Sequence, residues 1–237
     1  MNESKPDFSN SAYLLPHINR EGIRFGAIAL AIAFAVLLAA THLYWLTVLV
    51  LPLFLLAYGV FLFFRDPERY PPDDAKAVLS PADGRVCLVE ECGFPDDFGE
   101  MGEYLGRRFW RVSVFMSVFD VHVNRLPTDG EVLRRQYIAA GKFLNASLDK
   151  ASKENERCNY LIKADNGQVY AVTQIAGLVA RRIVPQVAEG QHLARAERFG
   201  LIRFGSRLDV YLPEGVLPEV RVGQTMVAGE TVLAHLK

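Results

Sequence analysis

The residues with the most chemistry to offer lie near the C-terminal end of the 237-residue chain, in Leu201-Ile202-Arg203-Phe204-Gly205-Ser206-Arg207-Leu208-Asp209-Val210. Two alternating apolar runs, Leu201 to Phe204 and Leu208 to Leu212, flank the Gly205-Ser206 pair. Such runs read as strands, and a glycine between strands reads as a turn or bulge, because it tolerates backbone angles that other residues avoid. The other reading is a bond built to break, in which the Ser206 hydroxyl attacks the carbonyl of Gly205, the least hindered acyl group a chain offers. Two further places carry groups that move protons. Asp83-Gly84 lies in Ala77 to Val86, which reads as strand, turn and strand, and an Asp there is ordinary turn chemistry. Asp120-Val121-His122 closes a run from Phe109 to Val123 that is rich in β-branched and aromatic residues and suited to buried strands. Alternation puts Asp120 and His122 on one strand face. A lone histidine at a strand end is more often structural than catalytic.

The elements that must position these groups are mostly short strands. Thr128-Asp129-Gly130 is a turn before a strand from Glu131 to Tyr137. Residues 141–157 are polar and aperiodic, a loop with a short helix near 146–153, and residues 91–108 read as an exposed hairpin or loop. Asn166-Gly167 between Tyr160–Ala164 and Gln168–Ile175 marks a hairpin with a type I′ turn. The stretch from Val220 to Ala234 is two short strands around a glycine-bounded turn. The fold class is therefore mainly β (α+β), a compact many-stranded domain with barrel-sandwich-like hairpins.

The N-terminal part is of another kind. Residues 1–22 are a polar lead-in, and from Phe25 to Phe64 there is no Asp, Glu, Lys or Arg. Those 40 residues would span about 60 Å as helix, twice the hydrocarbon thickness of a bilayer. Thr41-His42 breaks the run, with Tyr44 and Trp45 beside the break as interfacial aromatics. The expectation is two membrane helices, 23–41 and 45–64, within a segment 23–64. Arg20 and Arg24 before them and Arg65 and Arg69 after them place both ends in the cytoplasm. The run is too long for a cleaved signal peptide; a helical hairpin buried in a soluble core, or one dipping into the bilayer without crossing, are the alternatives. The remaining domain, 65–237, would then sit at the inner face of a membrane, where a lipid substrate is at hand.

Composition narrows the classes. A net charge of −1 gives no argument for nucleic acid. Cys87, Cys92 and Cys158 form no C-x-x-C pair and suit neither a disulfide framework nor a zinc site, so reduced thiols in a cytoplasmic compartment are expected. No P-loop, dinucleotide fingerprint or metal-ligand cluster occurs.

Five separated stretches in order, Phe64–Arg69 (FRDPER), Ser80–Val86 (SPADGRV), Phe115–Pro127 (FMSVFDVHVNRLP), Gly141–Arg157 (GKFLNASLDKASKENER) and Phe204–Arg207 (FGSR), resemble the short bacterial form of the phosphatidylserine decarboxylases. The likeness runs over essentially the whole chain. It implies a proenzyme that cuts itself between Gly205 and Ser206, giving a β chain of residues 1–205 and an α chain of residues 206–237. Ser206 would become the N-terminal pyruvoyl group, which forms a Schiff base with the serine headgroup and takes up the electrons left when CO₂ departs. The product would be phosphatidylethanolamine, made at the cytoplasmic face of the cell membrane with no external cofactor and no metal. The resemblance also implies that Asp83 and a histidine activate Ser206, with His122 the histidine available. Longer members carry a second histidine three positions on, where this chain has Arg125. Arg125 and Lys142 fall in matching stretches and are candidate contacts of the lipid phosphate. A homodimer is open on the same ground. Two readings compete: a non-catalytic biotinyl- or lipoyl-like carrier, against which stands the absence of lysine at Gln224-Thr225-Met226-Val227, and a membrane-anchored structural module with a plain turn at Gly205-Ser206.

Overall fold

A computed structural model describes residues 17–94, 107–139, 155–177, 182–203 and 206–237. It divides into two compact units, one ending at Glu68 and one running from Arg69 to Lys237.

The first unit is a helical hairpin. Its elements are β1 (His17–Ile18), α1 (Arg20–Ala40), a 3₁₀ turn (Tyr44–Leu46), α2 (Thr47–Phe63) and β2 (Arg65–Asp66). Both expected helices are present, and α1 starts three residues early because the Asn19 side chain accepts the Glu21 N–H and caps it. Small residues let the helices close: a Cβ on Gly22 would stand 2.2 Å from Phe64 Cβ, and one on Gly26 would stand 2.4 Å from the Phe61 ring. β1 pairs antiparallel with β2, His17 opposite Asp66, so the two ends of the hairpin leave together. Arg20–Ala40 and Tyr44–Phe63 are long and apolar enough to cross a membrane. Ile28, Ile32, Leu38, Leu51, Leu55 and Leu56 point outward from them.

The second unit is built from antiparallel strands: β3 (Ala77–Leu79), β4 (Gly84–Gly93), β5 (Arg108–Met116), β6 (Val123–Arg125), β7 (Gly130–Ile138), β8 (Arg157–Ala164), β9 (Val169–Ala176), β10 (Arg182–Pro185), β11 (His192–Leu193), β12 (Arg198–Arg203), β13 (Ser206–Tyr211), β14 (Thr225–Met226) and β15 (Val232–His235). Among the described residues an eight-stranded sheet has the order β11-β7-β8-β9-β13-β5-β4-β14, a three-stranded sheet the order β10-β12-β6, and β15 pairs with β3. Alternate side chains of the large sheet, among them Val112, Val114, Val172, Leu208 and Val210, join Ile183, Phe199 and Ile202 of the small one in a common core. The rings of Tyr160 and Phe199 meet edge to face at 5.0 Å. The α+β, mainly β expectation holds.

Two local expectations are corrected. The hairpin between β8 and β9 is not type I′, since Gly167 has φ +86° while Asn166 keeps a negative φ. Gly167 N–H donates to the Ala164 carbonyl and Ala164 N–H to Gln168, a type I turn followed by a glycine bulge. The Asn166 side chain accepts the Gln168 N–H at 3.0 Å, which favours this form. Likewise Asp120 and His122 do not share a strand face, because β5 ends at Met116 and β6 starts at Val123. Asp120 bonds its own backbone neighbourhood instead, accepting the Ser117 N–H at 2.8 Å, and the strand gives way to a turn. The expected loop at 141–157, with its short helix near 146–153, and the tip of the expected hairpin at 91–108 fall largely outside the described residues.

Candidate active site

β12 and β13 are the two apolar runs around Gly205, and they belong to different sheets. The chain therefore leaves the small sheet at Arg203 and enters the large one at Ser206. Gly205 and Phe204 lie outside the described residues, as does Lys142. Ser206 opens β13 between two long neighbours, in register with Met116 of β5 and Ala176 of β9. It is fully buried, on the core side with Leu208 and Val210.

Among the described residues, four buried polar or sulfur groups lie in line from that position. The Ser206 Oγ is 3.9 Å from the Met116 thioether, and the Asn124 amide donates toward the same sulfur at 3.6 Å. Gln174 donates to Asn124 Oδ1 at 2.7 Å, and Tyr160 donates to Gln174 Oε1 at 2.9 Å. Burial pushes the Tyr160 phenol far up from its usual range, so it stays a neutral donor. Sequence reasoning missed this line of side chains. Its signal was there: amides at Asn124 and Gln174 interrupt apolar strand runs, and buried amides must find partners.

His122 is fully buried just before β6. Its carbonyl accepts the Ile202 N–H at 3.3 Å, so it lies beside the strand that leads to Ser206. Its Nδ1 is 2.9 Å from the Asp120 carbonyl. A carbonyl only accepts, so Nδ1 carries the hydrogen and Nε2 is the basic nitrogen of the neutral ring.

Asp83 is placed by its own turn. Gly84 has φ +137°, and a Cβ there would stand 2.1 Å from the Phe115 carbonyl oxygen, so this turn can rest on β5 only with glycine. The Asp83 carboxylate accepts from Arg69 at 2.7 and 2.9 Å and from the Ala228 N–H at 2.7 Å. Among the described residues its bonds run to Arg69 and Ala228, and that of Ser206 runs to Met116. The turn touches the other end of β6, where Arg125 N–H donates to the Pro81 carbonyl at 2.9 Å. His122 and Arg125 are three residues apart along the chain, about 10 Å of strand. Arg125 itself is 3% exposed and donates from its guanidinium to the Ala196 carbonyl at 2.9 Å.

The cysteines are free thiols. Burial pushes Cys158 up to about 11, so it is a neutral thiol and not a nucleophile at physiological pH. A surface cleft lined by Arg107, Phe109, Gln168, Val169, Pro213 and Glu214 lies beyond the far end of β13, roughly 20 Å of strand from Ser206, and is no part of this site.

Fold and site together define a β domain with a buried serine at a sheet crossing, a histidine beside the preceding strand, and an apolar helical hairpin in the same chain. A family model described as phosphatidylserine decarboxylase matches residues 57–234. A phosphatidylserine decarboxylase proenzyme of Erythrobacter litoralis is 52% identical over 227 residues, covering 93% of this chain and 88% of that protein. Proteins of the same name from Novosphingobium aromaticivorans and Nitrosomonas europaea are 49% and 50% identical, covering 93% and 96% of this chain and 87% and 99% of their own lengths. The chain belongs to the phosphatidylserine decarboxylase family.

Proposed function

We propose that the chain is a self-processing decarboxylase that converts phosphatidylserine to phosphatidylethanolamine. Position 206 is still a serine here, so the arrangement is that of the precursor. Its hydroxyl attacks the Gly205 carbonyl and an N→O acyl shift gives an ester. Loss of the Ser206 α-proton expels the Gly205 carboxylate and leaves dehydroalanine, whose imine tautomer takes up water and releases ammonia. The observation that carries the reading is the place of Ser206: first residue of a buried strand, directly after the crossing between sheets, with His122 held beside that crossing.

His122 is assigned as the base, acting through Nε2, with the Asp120 carbonyl fixing the ring. Asp83 supports the reaction by tying its turn to Ala228, in the segment downstream of the cut. Arg125 is spent on Ala196, so we assign it to packing rather than to the lipid phosphate. The surroundings of Ser206 fit a pyruvoyl group, because Met116 and Asn124 present no charge and no competing nucleophile, and a ketone needs only acceptor room beside the Asn124 amide. Once formed, that group supplies an electron sink next to the serine headgroup. Water is kept out by the packed core around position 206. The two apolar helices with Arg20, Arg24, Arg65 and Arg69 at their ends support placement on the cytoplasmic side of the cell membrane.

Intact mass of the purified protein tests the reading. A fragment starting at residue 206 and carrying a pyruvoyl group is expected, and an uncut chain in active preparations would sink it. Ser206→Ala should give an uncut chain with no decarboxylation. His122→Ala should slow cutting by at least a hundredfold, the scale of a lost general base; normal maturation would remove His122 from this role.

A further inference from the structure

The turn after β5 shows two apolar side chains to solvent right beside the site. Val118 is 47% exposed and Phe119 83%, whereas Met116 before them and His122 after them are fully buried. The turn is fixed from within. Asp120 N–H donates to the Ser117 carbonyl at 3.0 Å, Ser117 N–H to the Asp120 carboxylate at 2.8 Å, and Phe119 N–H to the Ser117 hydroxyl at 3.3 Å. Three hydrogen bonds across four residues make this exposure a property of the fold and not of a loose loop. Both ends of the turn reach the chemistry. Met116 is in register with Ser206, and Asp120, whose carboxylate closes the turn, holds the His122 ring through its carbonyl.

A large apolar side chain held rigidly in solvent marks a contact surface. We propose that Val118 and Phe119 enter the acyl layer of the bilayer that holds the substrate, and so bring a lipid headgroup to Ser206. The proposal rests on the reading of the substrate as a phospholipid. A lipid whose serine reaches residue 206 must leave its acyl chains at the rim of the site, and that rim carries an apolar pair. The one carboxylate of the turn is drawn onto the Ser117 N–H, which lowers the cost of bringing the tip into an apolar layer.

Two measurements on the full-length protein in phospholipid vesicles test this. In Phe119→Trp, the emission gained over the wild type, which has Trp45 and Trp110, should be quenched by lipids brominated on their acyl chains. Unquenched emission overturns the proposal, whether it is that of a water-exposed indole or the blue-shifted emission of one covered by another protein surface. In Phe119→Ser, KM for phosphatidylserine in vesicles should rise about tenfold, the value of removing one buried aromatic side chain, with kcat unchanged. Activity on a short-chain phosphatidylserine kept below its micelle concentration should not move. An equal loss on both substrates would assign the turn to the site itself and refute the bilayer contact. If the wild type decarboxylates neither substrate, the functional reading falls, and the quenching still decides where residue 119 sits.

Discussion

β12 and β13 are separated by two residues of chain and are held in different ways. β13 is buried along its whole length and pairs over six residues with β5 on one side and β9 on the other. β12 pairs over four residues with β10, and its pairing with β6 is broken by a register shift between Arg198 and Gly200. Each strand is thus anchored in its own sheet, and neither depends on the peptide link between them. A cut at Gly205-Ser206 would leave both strands in the sheets they already occupy. The downstream piece keeps two further ties, β14 to β4 and β15 to β3. On the proposed cleavage the contrast would also assign roles: β13 would be the fixed wall on which Ser206 stands, and β12 the arm that leads to the bond to be cut.

The firmness of β13 rests partly on an ion pair on the strand face away from Ser206. Arg207 and Asp209 meet at 2.8 Å, both almost wholly buried, with Arg111 of β5 at 3.9 Å from Asp209 and bonded to Glu90 at 2.6 Å. Removing the anion takes from the buried Arg207 guanidinium the carboxylate it meets at 2.8 Å. Asp209→Asn is therefore expected to cost about 3 kcal/mol or more of stability in denaturant unfolding of the precursor. A loss below about 1 kcal/mol would show that β13 is held by its strand pairing alone.

Different parts of this arrangement were legible in the sequence to different degrees. The helical hairpin was readable because an uncharged run and its break are local facts; the Asn19 cap moved the first boundary by three residues, and a 3₁₀ turn at Tyr44–Leu46 moved the start of the second helix to Thr47. The strands around Ser206 were readable from their alternation. That they lie in separate sheets was not, since it depends on β5, β6, β9 and β10, far away in the chain. The placing of Asp120 and His122 failed for a nearer reason: strand parity was applied to residues whose side-chain and backbone bonds make a turn. The same turn chemistry brings the Asp120 carbonyl, not its carboxylate, to His122. Asn124 and Gln174 were passed over because each looks like a lone polar residue in an apolar strand until the two sheets face each other.

The arm is tested at Gly200. A Cβ there would stand 2.8 Å from the Gln174 amide nitrogen and 3.2 Å from the Val184 carbonyl oxygen. In Gly200→Ala either β12 or the end of the Gln174 side chain must shift, and both disturb the line of amides that leads to Met116 and Ser206. We expect about 1–2 kcal/mol of destabilisation, the usual cost of overpacking, together with slower self-cleavage at temperatures where the precursor remains folded. Asn124→Ala, which deletes the amide and adds no volume, should separate the two effects by slowing cleavage without the overpacking. If Gly200→Ala is destabilised and cuts at the normal rate, β12 does not have to be precisely placed.

The smallest effect concerns how the downstream piece is retained. His235 of β15 lies 2.6 Å from Glu219 and 3.1 Å from Asp74, and only the second of these contacts crosses from residues 206–237 to the rest of the chain. The hydrogen bond to Glu219 foremost, and the charge of both carboxylates, raise the His235 pKa above its ordinary value. A histidine raised on folding lends its full stabilisation below the unfolded value near 6.5 and loses it as pH rises through the folded one. With the side chain 41% exposed, solvent screening holds the contribution to about 0.5 kcal/mol. His192 beside Asp165 is raised in the same direction, so the readout is the difference between wild type and His235→Gln. The wild type should be the more stable at pH 6, and the two should converge by pH 8.5. The same difference should appear in the release of the 206–237 fragment from mature protein under mild denaturant, because Asp74 stays behind on the other chain. A pH-dependent difference in whole-protein unfolding with none in fragment release at any pH would mean that Glu219 alone sets the titration and that the contact across the cut contributes nothing.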